Sequence, residues 1–125
     1  MKESNKAGYQ ILVVDDEPTV CKAIGMMLHF FGHHVQTASD GVAGLTLFEA
    51  GHFDLVITDY LMPEMKGDQF VTHIKQRRPG QRVIMATAFA EDFLTHGKPS
   101  GGVDYVLTKP FSLEDLRIAI DKVMI

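Results

Sequence analysis

The chain has one cysteine, Cys21, so no intramolecular disulfide can hold it together. That scarcity fits a reducing compartment, and a cytoplasmic location is the expectation. Long hydrophobic runs are lacking, and no stretch is apolar enough to span a membrane as a helix. Met1 to Gln10 is polar, carries Lys2 and Lys6, and has no apolar core of the signal-peptide kind. Residues 1–8 read as a loose terminal arm before a domain over residues 9–125. The net charge is only −4, which gives no reason to expect a nucleic-acid or membrane partner. Internal repeats and low-complexity segments are absent. What is there is an ordinary globular composition, 46% hydrophobic and 22% charged. Its 125 residues suit one domain that buries roughly two-thirds of its unfolded surface without a disulfide or structural metal.

Short apolar runs set the architecture. Gln10–Val14 (QILVV), Phe53–Thr58 (FDLVIT) and Arg82–Ala86 (RVIMA) read as strands buried on both faces, the pattern of a parallel sheet. His34–Ala38 is a weaker strand, and Asp104–Thr108 the last one. Helical spacing lies between them. Pro18 opens a helix whose apolar residues are Val20, Ile24, Met27, Leu28 and Phe31, with Gly32 as its stop. Asp40 caps a second helix with Ala43, Leu47 and Ala50 on one face. A third covers about 68–77. The fourth, Glu91 to Gly97, is poor and is followed by the breaker Lys98-Pro99-Ser100-Gly101-Gly102. Ser112, with Asp115 three residues on, caps the fifth. Five strands alternating with five helices predict an α/β fold of parallel βαβ units with helices on both faces. Sites in such sheets form beyond the carboxyl ends of the strands.

Those ends carry the chemistry. Strand one runs into Asp15 and Asp16, strand three into Asp59, strand four into Thr87 and strand five into Lys109. Two carboxylates about 4 Å apart repel by about 4 kcal/mol at an effective dielectric near 20, so the cluster calls for cations. Lys109 supplies one charge. An oxygen-only ligand set suits Mg2+ as a second. Lys109 can also pair with a phosphate, and Asp59 is then a candidate nucleophile, because carboxylates form acyl phosphates. Each residue alone has an ordinary structural reading as a cap, a turn or a solvated charge. Five polar groups at one topological edge are hard to explain that way.

The chain resembles the receiver domains of two-component response regulators (CheY-like) over nearly its whole length. The resemblance rests on ILVVDDE, DLVITDYLMPEMKG, VIMATA and YVLTKPF, with Asp59 lying 44 residues after Asp15, 28 before Thr87 and 50 before Lys109. It implies a doubly wound, flavodoxin-like sheet of order 2-1-3-4-5. Asp59 is implied as phosphoacceptor, with Asp15, Asp16, Asp59 and the backbone carbonyl of Leu61 around Mg2+. Thr87 is implied as the switch hydroxyl and Lys109 as the cation on a phosphoryl oxygen, before a bond to Pro110 that is cis in many members. Ala88 is small, as the family prefers, and Gly67 matches the glycine closing the loop. The implied function is a signalling switch rather than an enzyme. A histidine kinase or phosphotransfer protein, or a small donor such as acetyl phosphate, phosphorylates Asp59. The face of helix four, strand five and helix five then docks a downstream effector or output domain, or a second copy in a homodimer.

Two departures stand out. The family carries Tyr or Phe three residues before the lysine, where this chain has Val106, and Tyr105 is expected on the opposite strand face. Leu61 and Phe89 flank the site with apolar side chains, which position an attacking water poorly, so slow loss of phosphate is expected. Of the six histidines, His33 and His34 read as surface residues. Cys21 reads as a partly buried thiol. Met62 and Met65 read as loop packing that could also touch a partner. The sequence admits three rival readings. An aspartyl-phosphate hydrolase typically has a second aspartate two residues after the nucleophile, where Leu61 stands. A nucleotide- or flavin-binding domain needs a glycine-rich phosphate loop that is missing. A docking module that never receives phosphate is the third.

Overall fold

The computed structural model describes residues 8–97 and 102–125. Five strands, β1 (Gln10–Val14), β2 (His34–Ala38), β3 (Leu55–Thr58), β4 (Arg82–Thr87) and β5 (Tyr105–Thr108), alternate with five helices. The helices are α1 (Pro18–Phe30), α2 (Gly41–Ala50), α3 (Gly67–Arg77), α4 (Ala90–His96) and α5 (Leu113–Val123). The strands form one parallel sheet of order β2-β1-β3-β4-β5. The chain leaves β1 for one edge, then returns to its other side at β3. This is the switch point at which such sheets open a crevice.

The apolar runs are continuous because both sheet faces are covered. Ile11 and Val13 join Leu55, Ile57, Ile84, Ala86 and Leu107 in a core beneath α1 and α5. Leu12, Val14, Val56 and Val83 face the other way, under α2 and α3. A third, small cluster of Tyr60, Met85 and Phe93 seats α4. The weak second strand is an edge strand with three of its five residues exposed.

Capping follows the residues that signalled it. Asp40 accepts a hydrogen bond from the Ala43 N–H at 2.7 Å. Ser112 and Asp115 form a reciprocal capping box. Gly32, at φ 91°, takes the left-handed conformation that ends α1. Helix four is short, as its sequence indicated, with seven residues. The segment Lys98–Gly101 and the arm residues 1–7 lie outside the described residues. Gly8, the last residue of the expected arm, lies against the backbone of Gly32 and His33.

The inner face of α2 departs from the expectation. The buried face of α2 is Gly41, Gly44 and Phe48, while Ala43 and Leu47 are half-buried and Ala50 is exposed. The helix backbone presses onto β1 and α3, so closely that a Cβ on Gly44 would lie 2.9 Å from Val14 Cγ2 and 3.0 Å from the Phe70 ring. Small residues form the contact, and apolarity alone misplaces the face. The third strand also begins later than its apolar run, at Leu55, because Asp54 uses its side chain to accept from the Gln10 N–H at 2.8 Å.

Candidate functional site

Parallel register brings the expected cluster together. Val14 pairs with Thr58, so Asp15 and Asp59 leave adjacent strands at the same level. The Asp59 N–H still donates to the Val14 carbonyl at 3.0 Å, and the Lys109 N–H donates to Thr87 at 2.9 Å. Asp15, Asp59 and Thr87 are buried, at 2%, 8% and 0% exposure. Asp16 is half-buried. One carboxylate oxygen from each of Asp15, Asp16 and Asp59 lies within 4.8 Å of the others. Lys109 Nζ bridges two of them, 2.7 Å from Asp15 Oδ2 and 3.1 Å from Asp59 Oδ2. Leu61, half-buried, follows on the same loop.

The electrostatics are those of a crowded, partly dry site. Burial raises the Asp15 pKa above its ordinary value. The hydrogen bonds from Lys109 and the Glu17 N–H and the Lys109 charge pull it back without cancelling the rise. Burial alone would lower the Lys109 pKa. The Asp15 hydrogen bond and the two carboxylate charges outweigh it, so the ammonium is held more firmly than usual. One ammonium against three carboxylates leaves an excess of negative charge, and no ion pair among the described residues involves Asp16. An all-oxygen, anionic donor set of this kind fits a hard divalent cation such as Mg2+.

Two backbone donors carry no mark in the sequence. The Tyr60 N–H donates to Asp59 Oδ1 at 2.7 Å, and the Glu17 N–H donates to Asp15 Oδ1 at 2.9 Å. Each follows from the tight turn after its aspartate. Gly67 closes that turn over β3. Its N–H donates to the Tyr60 carbonyl, and a Cβ there would lie 2.0 Å from the Asp59 carbonyl oxygen. Thr87 Oγ1 accepts from the Phe89 N–H at 3.0 Å and so ties the site to the start of α4. The Lys109–Pro110 bond is cis.

The residues around the site divide as follows. Tyr105 packs toward α1 and α5 while Val106 joins the Tyr60–Phe93 cluster, so the two do face opposite ways. Phe89 is half-exposed two residues after Thr87, with Ala88 exposed between them. Met62 is buried in the α2–α3 core and is not available to a partner, and half-buried Met65 packs on Gly41. Cys21 is buried, its thiol 3.3 Å from the Asp15 carbonyl oxygen. His33 is half-buried. It stacks on the Tyr9 ring at 5.2 Å and accepts the Tyr9 N–H on Nδ1 at 3.1 Å, whereas His34 is exposed.

Known proteins share this fold. A profile of the family described as Response regulator receiver domain matches residues 11–121. The probable transcriptional regulatory protein TcrX of Mycobacterium tuberculosis is 34% identical over 93% of this chain, which spans 50% of that relative's length. Chemotaxis protein CheY4 of Vibrio cholerae superposes with a TM-score of 0.87 at 28% identity, covering 94% of this chain and 99% of that one. The response regulator TrrA of Thermotoga maritima, solved in complex with Mg(2+)-BeF, gives a TM-score of 0.85 at 29% identity, covering 91% and 97%. No helix among the described residues is long and apolar enough to cross a membrane. With its sheet order, its acidic cluster and its match over residues 11–121, the chain belongs to the receiver domains of two-component response regulators.

Proposed function

We propose that residues 9–125 form a phosphoacceptor domain in which Asp59 takes a phosphoryl group from a histidine kinase or a phosphotransfer protein. The observation that carries this reading is the lysine bridge. Lys109 Nζ contacts both Asp59 and Asp15, so the reacting carboxylate, a second carboxylate and a fixed cation converge beyond β1, β3 and β5. An Asp59 carboxylate oxygen attacks phosphorus, the donor's P–N bond breaks, and the electron pair leaves on the donor imidazole. Lys109 offsets the charge of the transferred group, and positioning supplies most of the acceleration. Asp15, Asp16, Asp59 and the Leu61 carbonyl would hold Mg2+. Bound there, the ion would neutralise phosphoryl oxygens and orient them for in-line transfer.

Asp59 then bears a group of greater negative charge. The Thr87 hydroxyl, two residues past Met85 on β4, turns to donate to it and releases the Phe89 N–H at the start of α4. The domain acts as a switch rather than as an enzyme in its own right, and the α4–β5–α5 face presents the outcome to an effector, an output domain or a second copy. A cytoplasmic location goes with this reading. Leu61 and Phe89 leave an attacking water without a polar guide, so the phosphoryl group is lost slowly.

Intact mass after incubation with acetyl phosphate and Mg2+ tests the proposal. Addition of one phosphoryl group, lost in Asp59→Asn and in metal-free buffer, is expected. No addition from acetyl phosphate, phosphoramidate or a permissive histidine kinase would favour a docking module that works without phosphate.

A further inference from the structure

Helix α4 is held by very little. Its seven residues bury a single side chain, Phe93, at 0% exposure. That ring does not reach either main core. It packs in the third cluster, with its centroid 5.1 Å from the Tyr60 ring at an interplanar angle of 60°. Such tilted contacts are favoured geometries for aromatic pairs. Tyr60 is the residue after Asp59, is 1% exposed, and gives its N–H to Asp59 Oδ1 at 2.7 Å. The carboxylate of the site, the Tyr60 backbone, the Tyr60 ring, the Phe93 ring and α4 thus form one contiguous chain of contacts.

The neighbouring strand offers no competing aromatic. Val106 contributes to this cluster a branched aliphatic side chain with no ring to swing, and Tyr105 lies on the other sheet face. The remaining link from the site to α4 is the Thr87–Phe89 hydrogen bond at its first turn. Helix α4 is therefore tied at its start by a hydrogen bond and at its middle by one buried ring, Phe93, whose aromatic partner in the cluster is Tyr60.

We propose that Tyr60 is a positioning residue that couples Asp59 to α4 through Phe93. This inference rests on the reading of Asp59 as phosphoacceptor and adds a second connection beside Thr87. When the Asp59 carboxylate is modified, its hydrogen bond with the Tyr60 N–H changes, the Tyr60 ring shifts against Phe93, and α4 moves with its only buried anchor. The coupling is reciprocal. Holding α4 in its modified position biases Tyr60, and with it the orientation of Asp59, so loss of the ring contact also alters the rate at which Asp59 accepts phosphate.

The test uses amide chemical shifts of the full chain with and without beryllofluoride and Mg2+, for the wild type, Tyr60→Phe, Tyr60→Leu and Phe93→Leu. Leucine keeps apolar volume in the cluster, and folding is checked in each variant by the unperturbed amides of β1 and β3. In the wild type and Tyr60→Phe, amides at Thr87 and Lys109 and those of residues 90–97 all shift. In either leucine variant the site amides still shift, while the changes over residues 91–97 fall by half or more and the phosphoramidate-driven rate changes at least threefold. Full α4 shifts in both folded leucine variants would overturn the coupling. Wild-type protein silent at Thr87 and Lys109 would instead overturn the reading of Asp59. Should one leucine variant fail to fold, the other decides by the same comparison.

Discussion

Replacing Lys109 by methionine removes the cation that bridges Asp15 and Asp59 and keeps most of the side-chain volume. At an effective dielectric near 20, the contacts at 2.7 and 3.1 Å are gross attractions of about 6 and 5 kcal/mol. Those figures overstate the loss, because the ammonium also sheds its desolvation penalty and because Asp15 has an escape. Left without its partner, the buried carboxylate takes up a proton. The cost of doing so at pH 7, from an ordinary carboxylate pKa, is about 4 kcal/mol. That is the ceiling for Asp15, and a net loss of about 2–4 kcal/mol is expected at neutral pH. The sign of the pH dependence follows. In the variant the folded-state pKa of Asp15 lies further above its unfolded value, so the associated stability is fully present below the unfolded pKa and drains away as pH rises. At pH 5 the ceiling drops to about 1.5 kcal/mol. Urea unfolding followed by circular dichroism in metal-free buffer measures this. The midpoint is expected to fall by about 1–2 M at pH 7 and by less than half of that at pH 5. An equal loss at both pH values, or none at pH 7, would contradict proton uptake by an unpartnered Asp15.

Three further outcomes follow from other parts of the structure. Gly67→Ala forces a Cβ onto the Asp59 carbonyl oxygen and is expected to cost about 1–3 kcal/mol, read by urea midpoint, and to slow phosphorylation by acetyl phosphate. Leu61→Asn supplies a polar guide for water at the mouth of the site and is expected to speed loss of the phosphoryl group about tenfold, a barrier change of about 1.4 kcal/mol, read by intact mass over time. Burial and then the neighbouring His34 hold the His33 pKa below the ordinary imidazole value, with Nδ1 accepting from Tyr9. Its contribution is therefore present above the unfolded imidazole pKa and lost as pH falls through the folded one. His33→Phe, which keeps the stack on Tyr9, is expected to flatten the urea-midpoint profile between pH 7 and 5.

Most of the sheet was legible because parallel strands buried on both faces leave uninterrupted apolar runs, as QILVV and RVIMA do. The polar cluster was legible for a related reason. In a parallel sheet every strand delivers its last residues to one edge, so Asp15, Asp16, Asp59, Thr87 and Lys109 could be gathered from strand ends alone. The failures share a cause as well. The inner face of α2 depends on how closely its backbone approaches Val14 and Phe70, which hydrophobicity does not encode. His33 is drawn inward by Tyr9, a partner 24 residues away. The Tyr60 and Glu17 N–H donors belong to the backbone, which every residue carries, so only the turn geometry reveals them. The opposite orientations of Tyr105 and Val106, by contrast, follow from the two-residue period of a strand and were readable in advance.

The assignment of Asp59 is open to direct chemical location. An aspartyl phosphate is reduced by sodium borohydride to homoserine, a permanent mark at the residue that carried the phosphoryl group. Full-length chain treated with acetyl phosphate and Mg2+, reduced and digested, is expected to yield the peptide spanning residues 54–66 with homoserine in place of Asp59, and unmodified Asp15 and Asp16. Homoserine at Asp15 or Asp16 with Asp59 intact, or no conversion at any of the three in a chain that binds Mg2+, would contradict the assignment.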